Sequence, residues 1–137
     1  MPRQVAVVGA GAAGAATATA LADVADVTVF ERHAAVGGRT CTRERDDCRY
    51  EVGANYLTPT DDAVGALIDD VLPDADRRAP DGAIWTFDAS GTITPGDEDR
   101  NATERRLTTV RGLATLTERI LRAADAEVVM ETRIDAL

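Results

Sequence analysis

A short apolar run that leads directly into closely spaced glycines constrains this chain more than any other feature. Residues 4–8 predict a buried strand, and the glycines that follow have the spacing G-x-G-x-x-G. An Ala- and Leu-rich stretch predicts a helix over residues 12–22, and residues 27–31 predict a second strand that ends in an acid. This order of strand, glycine turn, helix and strand is typical of a dinucleotide-binding βαβ unit in an α/β Rossmann-like fold.

Each residue of the glycine turn has its own physical role. Gly9 permits the tight turn out of the strand, Gly11 lets a pyrophosphate approach the backbone, and Gly14 lets the helix pack close to the sheet. The helix N-terminus begins with Ala12 and Ala13, and it offers free N–H groups and a positive dipole end to phosphates. These five residues are predicted to bind the cofactor.

The acid at the end of the second strand, Glu31, predicts recognition of a ribose. Its carboxylate can accept hydrogen bonds from the ribose hydroxyls, and its charge would repel a 2′-phosphate. A glycine-rich turn that binds nothing is the alternative, and it is disfavoured because the strand, the helix and the acid all agree.

A second motif, ERHAAVGGRT, occupies residues 31–40. Adjacent glycines let the backbone pass close to a ligand, and the planar guanidinium of Arg39 suits phosphate oxygens. The motif resembles the FAD-dependent amine oxidase superfamily, which includes amine oxidases, phytoene desaturases, protoporphyrinogen oxidases and renalase-like proteins. The resemblance implies that Arg32, Gly38 and Arg39 contact FAD, with Arg39 along the pyrophosphate. A loop glycine pair beside a solvated arginine is the alternative.

A third motif, YEVGANYLT over residues 50–58, resembles a stretch of the same superfamily and is most similar to its renalase-like branch. There the backbone lies close to the flavin ring, which implies contacts from Gly53, Ala54 and Asn55. The family usually has aspartate where this chain has Glu51, so no specific hydrogen bond is predicted for Glu51. An ordinary strand that ends at Gly53 is equally compatible with the sequence.

A β-hairpin is predicted over residues 40–52, with its turn at Asp46 and Asp47. This pairing does not place Cys41 and Cys48 opposite each other, so two reduced thiols are expected rather than a disulfide. With one histidine and two cysteines the chain offers no metal-ligand set.

The middle of the chain carries weaker patterns. A helix is predicted through Leu72, capped by Thr60 or Asp61 and stopped by Pro73, with an apolar face of Val64, Leu67, Ile68 and Val71. Residues 73–82 predict a loop, residues 83–94 a second hairpin, and residues 95–106 a polar segment. Trp85 and Phe87 are expected to pack that second hairpin, with a pocket wall as the alternative.

The last segment predicts an amphipathic helix followed by a strand over residues 126–131. The apolar face of the helix consists of Leu113, Leu116, Ile120, Leu121 and Ala124. The family resemblance implies that the backbone of Ile134 contacts the adenine, with Leu137 at the final apolar position. His33, the single histidine, is expected to be solvated or to lie on the adenine side rather than to act in acid–base catalysis.

Composition limits the functional classes. The chain has 137 residues and a net charge of −9, and its basic residues are all arginine. This acidity disfavours nucleic acid as a partner. Acidity combined with the lack of lysine is typical of adaptation to high salt, and a GC-rich genome that favours Arg, Ala, Gly and Asp codons is the alternative. The sequence shows neither a signal peptide nor a membrane span, which predicts a cytoplasmic protein without a membrane partner.

Three segments are predicted: an FAD- or ADP-binding Rossmann core (residues 1–58), a helix and hairpin leading to the substrate side (59–106), and a return to the cofactor domain (107–137). The chain is short for the family it resembles, which predicts a truncated protein lacking a C-terminal half. The function implied by the resemblance is hydride transfer from a small-molecule substrate to the flavin of FAD. An NAD-binding module and an inactive remnant remain as alternatives.

Overall fold

The computed structural model describes residue 1 and residues 3–80, 85–96 and 106–136. Its strands and helices in chain order are β1 Arg3–Val8, α1 Ala12–Leu21, β2 Ala25–Phe30, β3 Thr42–Arg45, β4 Cys48–Glu51, α2 Asp62–Val71, β5 Arg77–Arg78, β6 Thr86–Phe87, β7 Ile93–Thr94, β8 Thr108–Thr109, α3 Ala114–Ala123 and β9 Glu127–Val129. This arrangement confirms the α/β class and the βαβ unit predicted from the sequence.

A three-stranded parallel sheet in the order β1-β2-β9 forms the centre of the fold. Val7 lies opposite Val29 in the register of β1 and β2, and both side chains are buried. The neighbouring Val8 is 51% exposed, because successive side chains of a strand point to opposite faces. The core therefore lies on one face of the sheet, where α1 and α3 pack.

The two helices meet the sheet in different ways. α1 contributes the small, fully buried Ala15 and Ala18, which let its backbone approach closely. α3 contributes larger side chains, and all five residues of its predicted apolar face are buried, which confirms that face: Leu113, Leu116, Ile120, Leu121 and Ala124.

The boundaries of α2 follow the predicted signals. Asp61 caps its N-terminus, because one carboxylate oxygen accepts hydrogen bonds from the N–H groups of Ala63 (2.9 Å) and Val64 (3.2 Å). The helix ends before Pro73, as predicted. Ile68 is buried, but Val64 in the first turn is 48% exposed, so the apolar face is covered only toward the C-terminal end of the helix.

The first predicted hairpin is present as β3 and β4. Its two-residue turn has positive φ at Asp46 (50°) and Asp47 (62°), as in a type I′ turn, whose twist matches that of the flanking strands. Cys48 pairs with Arg45, whereas the carbonyl of Cys41 accepts a hydrogen bond from the N–H of Val52. The two thiols are therefore not opposite each other, and both are free.

Two expectations for the middle of the chain are wrong. The predicted loop over residues 73–82 contains a 3-10 turn (Asp74–Asp76) and β5, which pairs with β8. The strand was not predicted because two residues are too few to show an alternating pattern. Trp85 (61% exposed) and Phe87 (81%) project from the β6–β7 pair into solvent instead of packing it.

Several predictions fall outside the described residues: the start of the second hairpin at 83–84, most of the polar segment 95–106, and Leu137. Across the part of the chain that the structure describes, no helix has the length and apolar character needed to cross a bilayer.

Candidate dinucleotide-binding site

The glycine turn joins β1 to α1 through close backbone contacts. Gly9 has φ of +100°, which L side chains rarely adopt, and its N–H donates to the carbonyl of Phe30 (2.8 Å). A Cβ on Gly14 would lie 1.9 Å from the carbonyl oxygen of Gly9. The predicted roles of both glycines, a tight turn and close packing of helix on strand, match this geometry.

The N-terminus of α1 has the features of an anion site. Gly11 is its N-cap residue and provides no side-chain cap, and the first turn carries no acid. The N–H groups at the start of a helix have no intrahelical acceptor, and they lie at the positive end of the helix dipole. Ala12 and Ala13 are exposed there, so the backbone of this turn is open to a ligand.

The two glycine motifs, far apart in the sequence, are brought together by backbone contacts. The N–H of Gly37 donates to the carbonyl of Ala10 (2.8 Å), and Gly11 and Gly37 form an isolated parallel β-bridge. A Cβ on Gly11 would lie 3.6 Å from the carbonyl oxygen of Gly37, within ordinary contact distance. The G-x-G-x-x-G turn and the Gly-Gly-Arg segment therefore form one continuous surface.

Glu31 lies at the end of β2 and is 7% exposed. Its two carboxylate oxygens accept hydrogen bonds from the N–H groups of Ala10 (2.8 Å) and His33 (2.9 Å). Burial would raise the pKa of the Glu31 carboxyl, but these backbone donors and the nearby charges of His33 and Arg32 outweigh burial and lower it. Glu31 is therefore ionised at neutral pH and holds the glycine turn against β2, a structural role that the motif alone did not reveal.

A groove of about 590 Å³ opens beside Glu31. Its lining residues are Glu31, Arg32, His33, Ala34, Ala35, Gly38, Arg39, Cys41, Thr42, Arg43 and Val52. Within the described residues Arg39 and Arg43 belong to no ion pair, while Arg32 Nε donates to His33 Nε2 (2.9 Å). The groove thus concentrates positive charge in an acidic chain, which favours an anionic ligand.

The third motif reaches this groove through the backbone of Arg39. The N–H of Ala54 donates to the carbonyl of Arg39 (2.8 Å), and a Cβ on Gly53 would lie 2.2 Å from that same oxygen. The close approach of two backbones is sufficient to account for glycine at position 53. Asn55 is exposed and does not belong to the groove lining, and flavin contacts of Gly53, Ala54 and Asn55 stay predictions.

Glu51 forms specific hydrogen bonds that were not predicted from the sequence. Its carboxylate accepts from the hydroxyl of Thr42 (2.9 Å) and from the backbone N–H of Leu113 (2.9 Å). The Thr42 hydroxyl accepts in turn from the N–H of Ala114 (3.1 Å). Glu51 and Thr42 therefore cap the N-terminus of α3 from outside the helix, a long-range contact that local sequence could not indicate.

The segment after β9 runs beside the acid of β2. Glu131 N–H donates to the carbonyl of His33 (3.1 Å), and Thr132 N–H donates to that of Glu31 (2.8 Å). Ile134 follows two residues later and is half-buried. The structure thus brings the C-terminal segment beside Glu31, while an adenine contact of Ile134 stays a prediction.

Comparison with known proteins agrees with this geometry. The family profile described as an NAD(P)-binding Rossmann-like domain matches residues 7–71. The chain is 34% identical to putrescine oxidase of Kocuria rosea over 70% of this chain and 22% of that protein. It is 40% identical to protoporphyrinogen oxidase 2, chloroplastic/mitochondrial, of Arabidopsis thaliana over 50% of this chain and 14% of that protein.

The fold recurs in a crystal structure of a candidate protoporphyrinogen oxidase from Exiguobacterium sp. 255-15. The two share 13% identity and a TM-score of 0.68 over 98% of this chain and 55% of that one, which supports the fold alone.

The fold and the site define a Rossmann-type dinucleotide-binding domain. Its homologues place the chain in the FAD-dependent amine oxidase superfamily, which confirms the resemblance to that superfamily, while the renalase-like branch stays a prediction. The chain spans only 22% and 14% of the lengths of the two curated relatives.

Proposed function

We propose that this chain binds FAD and forms the cofactor-binding portion of a flavin-dependent oxidoreductase. The observation that supports it is the junction of the two glycine motifs, where the open N-terminus of α1 meets the Gly38–Thr40 turn that carries Arg39. In the superfamily that the chain resembles, the arginine of this segment lies along the FAD pyrophosphate, so this junction favours FAD over NAD.

The residues present fit such a cofactor. The first-turn N–H groups of α1 would bind the pyrophosphate, and the guanidinium of Arg39, which has no ion-pair partner among the described residues, would neutralise it. Each oxygen of Glu31 accepts one backbone hydrogen bond and retains capacity to accept another from a ribose hydroxyl. Gly53, Ala54 and Asn55 would follow toward the flavin ring.

Bound FAD would supply the acceptor for a hydride from a reduced substrate. We place that substrate among small molecules such as amines or reduced nicotinamides, in keeping with the similarity to putrescine oxidase and with a renalase-like third motif. The chain's own contribution is to bind and orient the cofactor. No side chain is assigned to catalysis.

Titration of the purified chain with FAD, followed by flavin fluorescence and the visible spectrum, tests the proposal. Gly11→Ala is the sharpest variant, because its methyl group would meet Gly37 only at ordinary contact distance and should leave the fold intact. It would nevertheless occupy the approach path of a pyrophosphate. We expect Gly11→Ala to weaken FAD binding at least tenfold without lowering the unfolding temperature.

Arg39→Ala should also weaken FAD binding, with Arg45→Ala as its control. Arg45 carries the same charge, but it lies at the exposed end of β3 with Asp46 as its partner. Equal effects of the two arginine variants would show that only net charge matters, and they would contradict a phosphate contact at Arg39.

NAD is the competing ligand, because the matching family profile describes an NAD(P)-binding domain. Titration with NADH under the same conditions separates the two. Saturable NADH binding without FAD binding would overturn the flavin proposal, whereas FAD binding that Gly11→Ala weakens at least tenfold would support it.

A further inference from the structure

Two buried threonine hydroxyls connect the Gly-Gly-Arg turn to α3. The Thr40 hydroxyl donates to the carbonyl of Gly37 (2.8 Å), and its oxygen lies 3.0 Å from the hydroxyl oxygen of Thr117. A hydroxyl has one proton, so Thr117 must be the donor to Thr40. The result is a directed chain of hydrogen bonds from Thr117 to Thr40 to the backbone of Gly37.

Both hydroxyls are removed from solvent, since Thr40 is 8% and Thr117 is 2% exposed. A buried hydroxyl destabilises a protein unless it is hydrogen-bonded, whereas valine would fill the same volume without that requirement. The packing of α3 therefore does not by itself explain threonine at position 117. The hydrogen bond to the turn does explain it.

The same turn is fixed at two other points. The N–H of Gly37 donates to the carbonyl of Ala10 (2.8 Å), and the carbonyl of Arg39 accepts from the N–H of Ala54 (2.8 Å). The Thr40–Thr117 bond ties this turn to α3. Gly37 has φ of +117° and Gly38 of +54°, conformations that glycine adopts freely and that need external contacts to remain fixed.

We propose that Thr117 is a positioning residue, which acts through Thr40 to hold the Gly-Gly-Arg turn in its ligand-binding conformation. The inference rests on the proposed function, because it predicts an effect on FAD affinity from a residue buried on α3. A ligand site that is fixed before binding loses less conformational entropy when the ligand binds.

The experiment compares Thr117→Val and Thr117→Ser with Thr115→Val. Thr115 lies on the same helix and is 5% exposed, so its valine variant controls for loss of a buried hydroxyl in α3. We expect Thr117→Val to raise the dissociation constant for FAD about fivefold, as for the loss of one ordinary hydrogen bond. Thr117→Ser should restore affinity to within twofold of the original, and Thr115→Val should leave it unchanged.

A second readout needs no ligand. The N–H groups of Thr40 and Cys41 are bonded to the carbonyls of Gly37 (2.9 Å) and Gly38 (3.1 Å), so their hydrogen exchange reports the opening of the turn. Thr117→Val should raise the exchange rates of these two N–H groups about tenfold, whereas Thr117→Ser and Thr115→Val should leave them unchanged. If Thr117→Val does not fold, Thr40→Val removes the same bond from its other end, together with the bond from the Thr40 hydroxyl to Gly37, so it should raise both exchange rates at least tenfold.

The two readouts separate the possible failures. Absence of FAD binding by the unmodified chain would contradict the proposed function, while exchange would still decide whether Thr117 holds the turn. Unchanged affinity and unchanged exchange in Thr117→Val would overturn the positioning role. Equal losses of affinity in Thr117→Val and Thr115→Val would also overturn it, because they would indicate general destabilisation of α3.

Discussion

The dinucleotide region (residues 3–58) and the β6–β7 hairpin (residues 85–94) are built from opposite kinds of residue. In the first, backbone packs on backbone: a Cβ on Gly14 or Gly53 would come within 2.2 Å of a carbonyl oxygen. In the second, Trp85, Phe87 and Ile93 are large and apolar, yet each is more than 60% exposed. The size of the residues in a region therefore does not indicate how much that region contributes to the packed core.

The difference follows from what each region can bury. The dinucleotide region places small residues between strand and helix, so hydrogen bonds and close contacts specify one arrangement. The hairpin has strands of two residues each, and an isolated hairpin is at best marginally stable in water. We therefore expect substitutions in the first region to have large effects and those in the second to have small ones.

Gly14→Ala should have the largest effect on stability. The added methyl group would overlap the carbonyl oxygen of Gly9, and neither backbone can move without separating α1 from β1. We expect a loss of about 3 kcal/mol or more in the free energy of unfolding, measured by urea denaturation.

Gly65→Ala is the matched control for this prediction. Gly65 lies inside α2, and nothing is within 4 Å of the position that its Cβ would take. Alanine should stabilise the chain there by about 0.5–1 kcal/mol, because glycine has the higher unfolded-state entropy. Equal destabilisation by both variants would contradict close packing as the cause at Gly14.

Glu31→Gln should have the next largest effect. Glutamine can replace one carboxylate oxygen, but its NH2 group would then face a backbone N–H of Ala10 or His33, leaving two donors unpaired. We expect a loss of about 1–3 kcal/mol at pH 7 in the free energy of unfolding, since the contacts are charge-assisted and buried.

The pH dependence of that loss has a defined sign. The pKa of Glu31 is lower in the folded chain than its ordinary value of 4.5, so its stabilisation is present above that pH. It is lost as the pH falls through the lower folded pKa. Unfolding midpoints of the original chain and of Glu31→Gln should therefore converge as the pH is lowered through the folded pKa of Glu31; a constant difference would contradict this account.

The sequence predicted the dinucleotide region well where its residues act locally. The roles of Gly9 and Gly14 and the turn at Asp46 and Asp47 depend on backbone conformation and contacts within a few residues of the turn. Thr117 was not predicted, because its hydrogen bond to Thr40 spans 77 residues and leaves no local pattern.

The cap formed by Glu51 escaped prediction for the same reason. The prediction that the hairpin aromatics are packed was wrong for a different reason, because a strand-like pattern does not by itself imply burial. Trp85 and Phe87 show that alternation specifies a common face but not what covers it.

Asp61→Ala tests a local contact on the helix that precedes the hairpin. The Asp61 carboxylate caps α2, and alanine would leave the N–H groups of Ala63 and Val64 without that acceptor. We expect a loss of about 1 kcal/mol, with Asp61→Asn retaining most of the stability. Thermal unfolding of the three chains would measure it, and an effect of Asp61→Asn as large as that of alanine would show that charge rather than capping matters.

Phe87→Ser should have the smallest effect, although it removes an aromatic ring. Phe87 is 81% exposed and lies opposite Ile93, itself 66% exposed, so little apolar surface returns to water. We expect a change within about 0.5 kcal/mol, against a loss of about 2–5 kcal/mol for Leu116→Ala, whose side chain is 6% exposed. Denaturant unfolding compares the two. A loss above about 1 kcal/mol for Phe87→Ser would show that another surface covers the hairpin in solution. The two regions would then differ in what they pack against, not in how much apolar surface they bury.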